Sequence, residues 1–462
     1  MSAPRTLAII GAGYSGALTA VQALRQAPPG QLRVALIERR SRFARGLAYH
    51  TWDDNLLLNV PAGNMSALAE EPRHFVDYLR GIDPAFGPAS FISRRIYGDY
   101  LEDTLQAAER AANGQLQRVN GSVRSLNRDT TTGQWRIALV GGPALQADTV
   151  VLALGHFAPL DPAAVAGIRG SDAYVANPWD GDAIDRADRT RPIAILGAAH
   201  TAIDVLFRLT SAGTAPDVLL ISRRGLLAQG HRFAPKAPPP ATDIPAFLQG
   251  VPPTLRAYTR AIIREARGQE AAGGDWRDTL NSLRPHTPTL WQRLGIAGQR
   301  RFLREVVPYW DIHRHRLAPA ASRRLEQLLQ SGQVRRVAGQ LLSAATDGAV
   351  TQLRLRPRGA GAAQALAVGT VINCTGPTYD IGLIQEPLIV ELRESGLIRP
   401  DPLRLGMEVD AGYRVIARDG TATPGLYYVG PMLKARYWEA IAIPELRVHT
   451  QRLAQQLRGP PA

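Results

Sequence analysis

Two short stretches carry the residues best suited to chemistry. Near the start, "IIGAGYSG" places Gly11, Gly13 and Gly16 in G-x-G-x-x-G spacing after an apolar run. Glycines so spaced permit a tight turn, let a pyrophosphate approach the backbone, and let helix pack on strand. The helix that follows directs free N–H groups of residues such as Tyr14 and Ser15 at the phosphates. Glu38, at the end of the next apolar run, fits the acidic residue that accepts from a ribose hydroxyl. The second stretch, "GAAHTA", repeats the move at Gly197, with Ala199 where the second glycine belongs and His200 and Thr201 after it. Its next apolar run ends not on an acid but in "ISRRG", and Arg223 and Arg224 there suit a 2′-phosphate. This pair predicts NADPH at the second turn, with solvated surface arginines as the bland alternative. The methyl of Ala199 implies looser binding, and Asp204, inside the helix, reads equally as a packing residue.

The elements that must position these turns alternate as strands and helices, an α/β pattern. "TLAII" and "RVALIE" read as buried strands around a helix at 14–27, with helices expected near 71–81 and 96–112. An internal repeat organises the rest. "GQLQRVNGSVRSL", "WRIALV" and "ADTVVLALG" run from 114 to Gly155; "GQVRRVAGQLLSA", "VTQLRLRP" and "AVGTVINCTG" run from 332 to Gly376. We therefore expect two Rossmann-like dinucleotide-binding domains, the second inserted into the first. The boundaries read as 1–160 for the first part, 190–345 for the second domain, and 346–462 for the closing part of the first. Residues 156–192 read as a linker, 234–245 as a proline-rich tract, and 252–331 as a mostly helical substrate or lid region. The tail "HTQRLAQQLRG" is expected to close the chain as an amphipathic helix.

Bulk composition narrows the function. The chain has 462 residues, a formal charge of +14 and a single cysteine, Cys374. One cysteine excludes a disulfide or a dithiol redox pair within the chain. No apolar leader or span-length run is present, so a cytoplasmic protein without membrane association is expected. The basic residues, nearly all arginine, are dispersed along the chain, which argues against nucleic acid and for a field that favours anionic ligands. "WDIHRHR" concentrates His313, Arg314, His315 and Arg316. Its spacing matches no metal site. Phosphate contact by its arginines or plain structural bonding comes first, and His313, Arg314 and Arg316 are candidates for holding an anionic substrate after these. His50 and His156 lie in loops that either line a ligand or serve structure.

Several stretches resemble a known family, the bacterial FAD/NAD(P)-binding flavoproteins that include an FAD-dependent urate hydroxylase, related to two-nucleotide flavin monooxygenases. They are "GAGYSG", "RGLAYHTWDDNLLLNVPAGNMSAL" at 45–68, "RRIYGDYL" at 94–101, "SRRGLLAQGH" at 222–231 and "VGPMLKARYWEAIAIPELR" at 429–447. The resemblance implies FAD at the first turn. It also implies Gly155 and Gly430 close to the cofactor, Val123 at the adenine, and a helix over 437–457 that places Ile443 and Trp438 beside the flavin ring. Asn59, Asn64 and Met65 would line that ring, with turn capping as the alternative for Asn59. The expected activity is NADPH-dependent hydroxylation of a small polar or anionic substrate by O₂ through a flavin hydroperoxide, urate being one possibility. Two alternatives stay open: a flavin-dependent NADPH reductase without oxygen insertion, and a non-enzymatic redox sensor.

Overall fold

The computed structural model describes residues 4–51, 53–211, 215–232 and 243–458. Most of the proline-rich tract expected at 234–245 lies outside the described residues. The chain builds two parallel-rich sheets and a helical region. The first sheet is ordered Arg414–Ile416, Ala422–Tyr428, Thr149–Leu152, Arg5–Ile10, Leu32–Glu38, Leu116–Asn120. Every pairing is parallel except the edge pair formed by its first two strands. Leu7, Ala8, Ile9 and Ile10 are at most 4% exposed, which is why "TLAII" reads as an unbroken apolar run: helices or loops cover both faces. Helix Tyr14–Gln26 lies against the sheet beside the C-terminal helix Ile443–Gln456.

The second sheet is ordered Gln364–Val368, Val350–Pro357, Val334–Asp347, Val218–Ser222, Ile193–Leu196, Thr370–Asn373, Tyr174–Val175. The repeat is visible in its register. Ile10 pairs with Ile37 and Leu152, and Leu196 pairs with Ile221 and Asn373. Past those pairs, Ala153 N donates to Ile10 O at 2.8 Å, and Cys374 N donates to Leu196 O at 2.8 Å. Cys374 is thus the counterpart of Ala153 and fills a buried strand end as a small apolar side chain. The units differ in their meanders. In the first, Val123–Arg128, Trp135–Leu139 and Leu145–Ala147 form a separate three-stranded sheet. In the second, Val334–Asp347 stays continuous through a bulge at Leu341/Ser343 and keeps the meander in the main sheet.

Three expected boundaries shift. The divide at 345/346 falls inside the hairpin Val334–Asp347/Val350–Pro357, and the second sheet continues to Asn373. The supposed linker 156–192 contributes Tyr174–Val175 to that sheet's edge, with Val165 and Ile168 in its core. Of the helical region, Pro319–Gln330 packs Leu325 into the core of the second unit, leaving Leu255–Ala271 through Val307–Arg314 as the helical subdomain proper. The helix expected over 437–457 is also broken. Residues Lys434–Tyr437 form one turn, Trp438 takes φ +56°, and the helix restarts at Ile443 with proline in its first turn. Pro444 lacks the N–H that would continue a helix running in from Trp438. No described helix is long and apolar enough to cross a membrane.

Candidate functional site

The first glycine turn opens onto a cleft of ≈ 270 Å³. Gly11 has φ +98°, and a Cβ there would sit 2.6 Å from the Ala153 carbonyl oxygen; at Gly16 it would sit 1.8 Å from Gly11 O. These positions admit only glycine, as a tight turn under a closely packed helix requires. The N-cap, Gly13, offers no side chain, so the first N–H groups of helix Tyr14–Gln26 are left to the cleft. Glu38 lines the same cleft, its carboxylate accepting from Ala12 N at 2.8 Å and Arg40 N at 3.1 Å. The other expected residues on its wall are Gly11, Gly13, Tyr14, Ser15, Val123, Gly155 and Ile443. Gly16 lies in the first turn of the helix, packed against Gly11 and Ala153, and Gly430 packs on Tyr428 and Leu154 while its neighbour Pro431 reaches the cleft. The glycine cradle, the unfilled helix terminus and the carboxylate fit a dinucleotide.

The quoted stretches at 45–68 and 94–101 prove to be one device. Arg45, 1% exposed, pairs with Asp99 and with Glu102 (2.9 Å), and its guanidinium fills the space left by Gly98. Tyr97 donates to Met65 O at 3.0 Å, and Ala67 N donates to Tyr100 Oη at 3.0 Å. These bonds hold the loop over the glycine turn, where Gly46 faces Gly13. Met65 is consequently buried under the loop and is not among the residues lining the cleft.

Asn59, Asn64 and Trp438 are likewise placed elsewhere. Asn59 and Asn64 line a second, polar cavity of ≈ 70 Å³ with His231, Asn281, Arg284, Arg314 and Arg316. Trp438 stacks on Trp291 of the helical subdomain at 4.8 Å. The turn at Trp438 swings its ring away from the cleft that Ile441 and Ile443 reach. His313 also departs from the expected substrate cluster. It meets Trp276 edge-on at 5.0 Å and its Nδ1 lies 2.8 Å from Tyr309 O.

The polar cavity is cationic, and its arginines differ. Arg232 pairs with Asp278, Arg284 with Glu445 (2.8 Å), and Arg314 with Glu439 (2.8 Å). Arg316 is 4% exposed, bonds only Asn281 Oδ1 at 2.5 Å, and has no carboxylate partner among the described residues. Burial, then the neighbouring guanidiniums of Arg314, Arg277 and Arg232, push its pKa down to about 10. Asp275 opposes this shift only in part and forms no ion pair with Arg316. A buried charge so weakly compensated is costly, and an anion in the cavity would offset it.

Around the second turn, Gly197 has φ +124°, and a Cβ would lie 2.2 Å from Cys374 O. Ala199, the N-cap of helix His200–Leu209, has φ −90° and ψ −172°, close to the −71° and −167° of Gly13. Arg223 and Arg224 follow strand Val218–Ser222; Arg224 lies 5.9 Å from the Tyr309 ring, and neither forms an ion pair among the described residues. His200 is turned inward. Its Nε2 is 3.0 Å from His315 O, and burial followed by the Arg94 charge lowers its pKa to about 4. His231 Nε2 is 3.0 Å from Asn59 O, and burial followed by Arg316 lowers its pKa to about 3. The His231–Asn59 bond and the Arg94–Asp204 pair (2.8 Å) join the two units, so Asp204 is an interdomain strut, whereas the His200–His315 bond lies within the second unit.

Sequence reasoning raised His156 but missed its neighbours Tyr379 and Lys434. His156 lines the cleft beside Tyr379 (3.2 Å), and Lys434 lies 5.4 Å from the Tyr379 ring and 4.4 Å from that of Trp438. Burial, then Lys434, lowers the His156 pKa to about 4, and burial lowers that of Lys434. A lysine in a chain with only two was the available signal. Among the described residues, no group of three or more His, Cys, Asp or Glu could hold a metal ion.

Comparison with known proteins agrees with this geometry. Residues 8–157 match a family described as FAD-NAD(P)-binding. The chain is 27% identical over 268 residues to the tRNA 5-methylaminomethyl-2-thiouridine biosynthesis bifunctional protein of Chromohalobacter salexigens. That match covers 54% of this chain and 36% of the relative, so the chain spans about a third of the curated protein's length. Among solved structures, L-lysine 6-monooxygenase from Pseudomonas syringae superposes with a TM-score of 0.67 at 16% identity, covering 98% of this chain and 99% of that one. Ornithine hydroxylase from Pseudomonas aeruginosa gives 0.64 at 15%, with coverages of 98% and 99%. A cadaverine monooxygenase from Erwinia amylovora, solved with FAD, gives 0.62 at 16%, with coverages of 99% and 95%. The chain is an α/β protein of two dinucleotide-binding units, the second inserted into the first, in the fold of the two-domain FAD and NADPH flavoproteins.

Proposed function

We propose that this chain is an FAD- and NADPH-dependent monooxygenase that hydroxylates a small molecule carrying an anionic group. The observation that carries the reading is Arg316, a buried guanidinium without a carboxylate partner. It lines a cavity shared by the 59–64 loop, the helical subdomain and the 314–316 segment. Bound FAD would supply hydride acceptance from NADPH and activation of O₂. The chain's own residues do the rest. The first glycine turn and Glu38 hold the pyrophosphate and ribose of FAD. The second turn, with Arg223 and Arg224, holds NADPH by its phosphates. Arg316 receives the substrate's anion in a small pocket, where a charge-assisted bond is stronger than in water. The fold is also that of proteins named for hydroxylating ornithine, lysine and cadaverine, which supports oxygenation over simple hydride transfer.

The test is a substrate panel with labelled O₂. Ornithine, lysine and urate offer an anion or a carboxylate, and cadaverine does not. NADPH consumption should rise with an anionic member and not with cadaverine, and one labelled oxygen atom should enter the product. A compound turned over without label would overturn the oxygenase reading in favour of a reductase.

A further inference from the structure

The helical subdomain encloses a second, larger cavity of ≈ 620 Å³ that neither the cofactors nor the cationic pocket accounts for. Its wall is apolar, made of Leu280, Leu283, Leu290 and Phe302 together with ring faces. Four of the chain's seven tryptophans, Trp276, Trp291, Trp310 and Trp438, line it. Apolar lining of this extent, open at one side, is left against water, and an apolar molecule seated there would remove it from water. The helix Trp276–Leu283 divides the two cavities, with Leu280 and Leu283 on the apolar side and Asn281 on the cationic side. At the rim, Ile263 and Tyr309 are 45% and 46% exposed, so apolar surface continues from the cavity to solvent.

One polar atom inside is unaccounted for. Tyr258 is 5% exposed and lines the cavity, yet its hydroxyl has no hydrogen-bond partner among the described residues. A buried hydroxyl is costly unless it finds a partner, and a ligand acceptor would provide one. The aromatic lining favours flat rings, which stack or meet edge-to-face on tryptophan and phenylalanine.

We propose that this cavity is a binding site for an apolar, ring-bearing small molecule that presents one hydrogen-bond acceptor to the Tyr258 hydroxyl. The site does not depend on the flavin chemistry proposed above. The probe is Prodan, a naphthalene ketone whose emission moves to the blue in apolar surroundings, titrated into the purified full chain with FAD added to fill the first cleft. A saturable blue shift at one equivalent is expected. Tyr258→Phe should weaken Prodan about tenfold while leaving anthracene, which has no acceptor, bound as before. Ala266→Trp, on a half-exposed face of helix Leu255–Ala271, should fill the cavity and weaken both probes at least tenfold. Should that variant not fold, Ile263→Asp at the exposed rim replaces it with the same expectation. No saturable shift, or Prodan binding unchanged in the folded cavity-filling or rim variant, would overturn the proposal. Flavin content and bleaching by NADPH, measured on the same unmodified protein, report separately on the cofactor reading.

Discussion

Acid should destabilise the folded second unit, and His200 allows the size of the effect to be worked out. Its imidazole donates to the His315 carbonyl while buried near Arg94, and its pKa falls from 6.5 to about 4. Between those values the unfolded chain takes up a proton that the folded chain refuses. The stability contributed by the neutral ring is therefore fully present above pH 6.5 and is lost as the pH falls towards 4. Each pH unit across that window is worth about 1.4 kcal/mol per proton, so His200 alone should cost about 2 kcal/mol between pH 7 and pH 5. His231, lowered to about 3 where it holds Asn59, adds a loss of about the same size at pH 5. Against a typical domain stability of about 5–15 kcal/mol that is a large fraction. The assay is urea unfolding at pH 7 and pH 5 for the native chain and for His200→Gln, whose amide can still donate to His315 O. The variant should lose about 2 kcal/mol less on acidification. Equal losses in the two proteins would refute the argument, because the ring would then be solvated or already charged.

The first turn should control flavin content. Gly13→Val would press a branched side chain against Gly46, 3.3 Å from the position of its Cβ, and Glu38→Arg would remove the ribose acceptor. Either should purify with far less FAD by absorbance while staying folded by circular dichroism. Replacing Arg223 and Arg224 with alanine should weaken NADPH about 10–100-fold and NADH little, the cost of losing a charge-assisted bond of about 1.5–3 kcal/mol. Steady-state flavin reduction with each nucleotide decides it. Arg316→Met should raise KM for an anionic substrate by a similar factor yet leave the melting temperature unchanged or higher, since it removes a buried charge that forms no ion pair among the described residues. A lowered melting temperature with KM unaltered would make Arg316 structural.

What the sequence made legible was local. Each glycine turn is confined to a few residues whose constraint is backbone geometry, so spacing alone reveals it. The repeat was legible too, because each unit ends its returning strand against its glycine turn. What escaped depended on distant partners. Arg45 reads as one arginine among many, and only the fold brings Asp99 and Glu102 to it. The boundary at 345/346 was misplaced because a continuous strand with a bulge looks, in sequence, like two short strands. Trp438 was expected beside the flavin ring because a helix through 437–457 would carry it there, and the break at that residue sends it to Trp291 instead. Periodicity could mark the central segment as helical, but not which helix faces would leave a cavity between them.

The departure at Ala199 gains a physical reason from the comparison of the two units. Gly13 is crowded by the loop that Arg45 anchors, for a Cβ there would come within 3.3 Å of Gly46 Cα. Its lack of a side chain therefore serves a chain crossing as well as any phosphate. Ala199 holds nearly the same backbone angles but is exposed, and its methyl meets no such constraint. At the position equivalent to Glu38, Ser222 accepts from Gly225 N at 3.0 Å, leaving Arg223 and Arg224 as the groups able to meet a ligand's outer phosphate. The first turn is roofed by a loop tied down by ion pairs around the buried Arg45, which suits a cofactor that stays. The second has an exposed N-cap and arginines free of ion pairs among the described residues, which suits a nucleotide that must arrive and depart with each turnover.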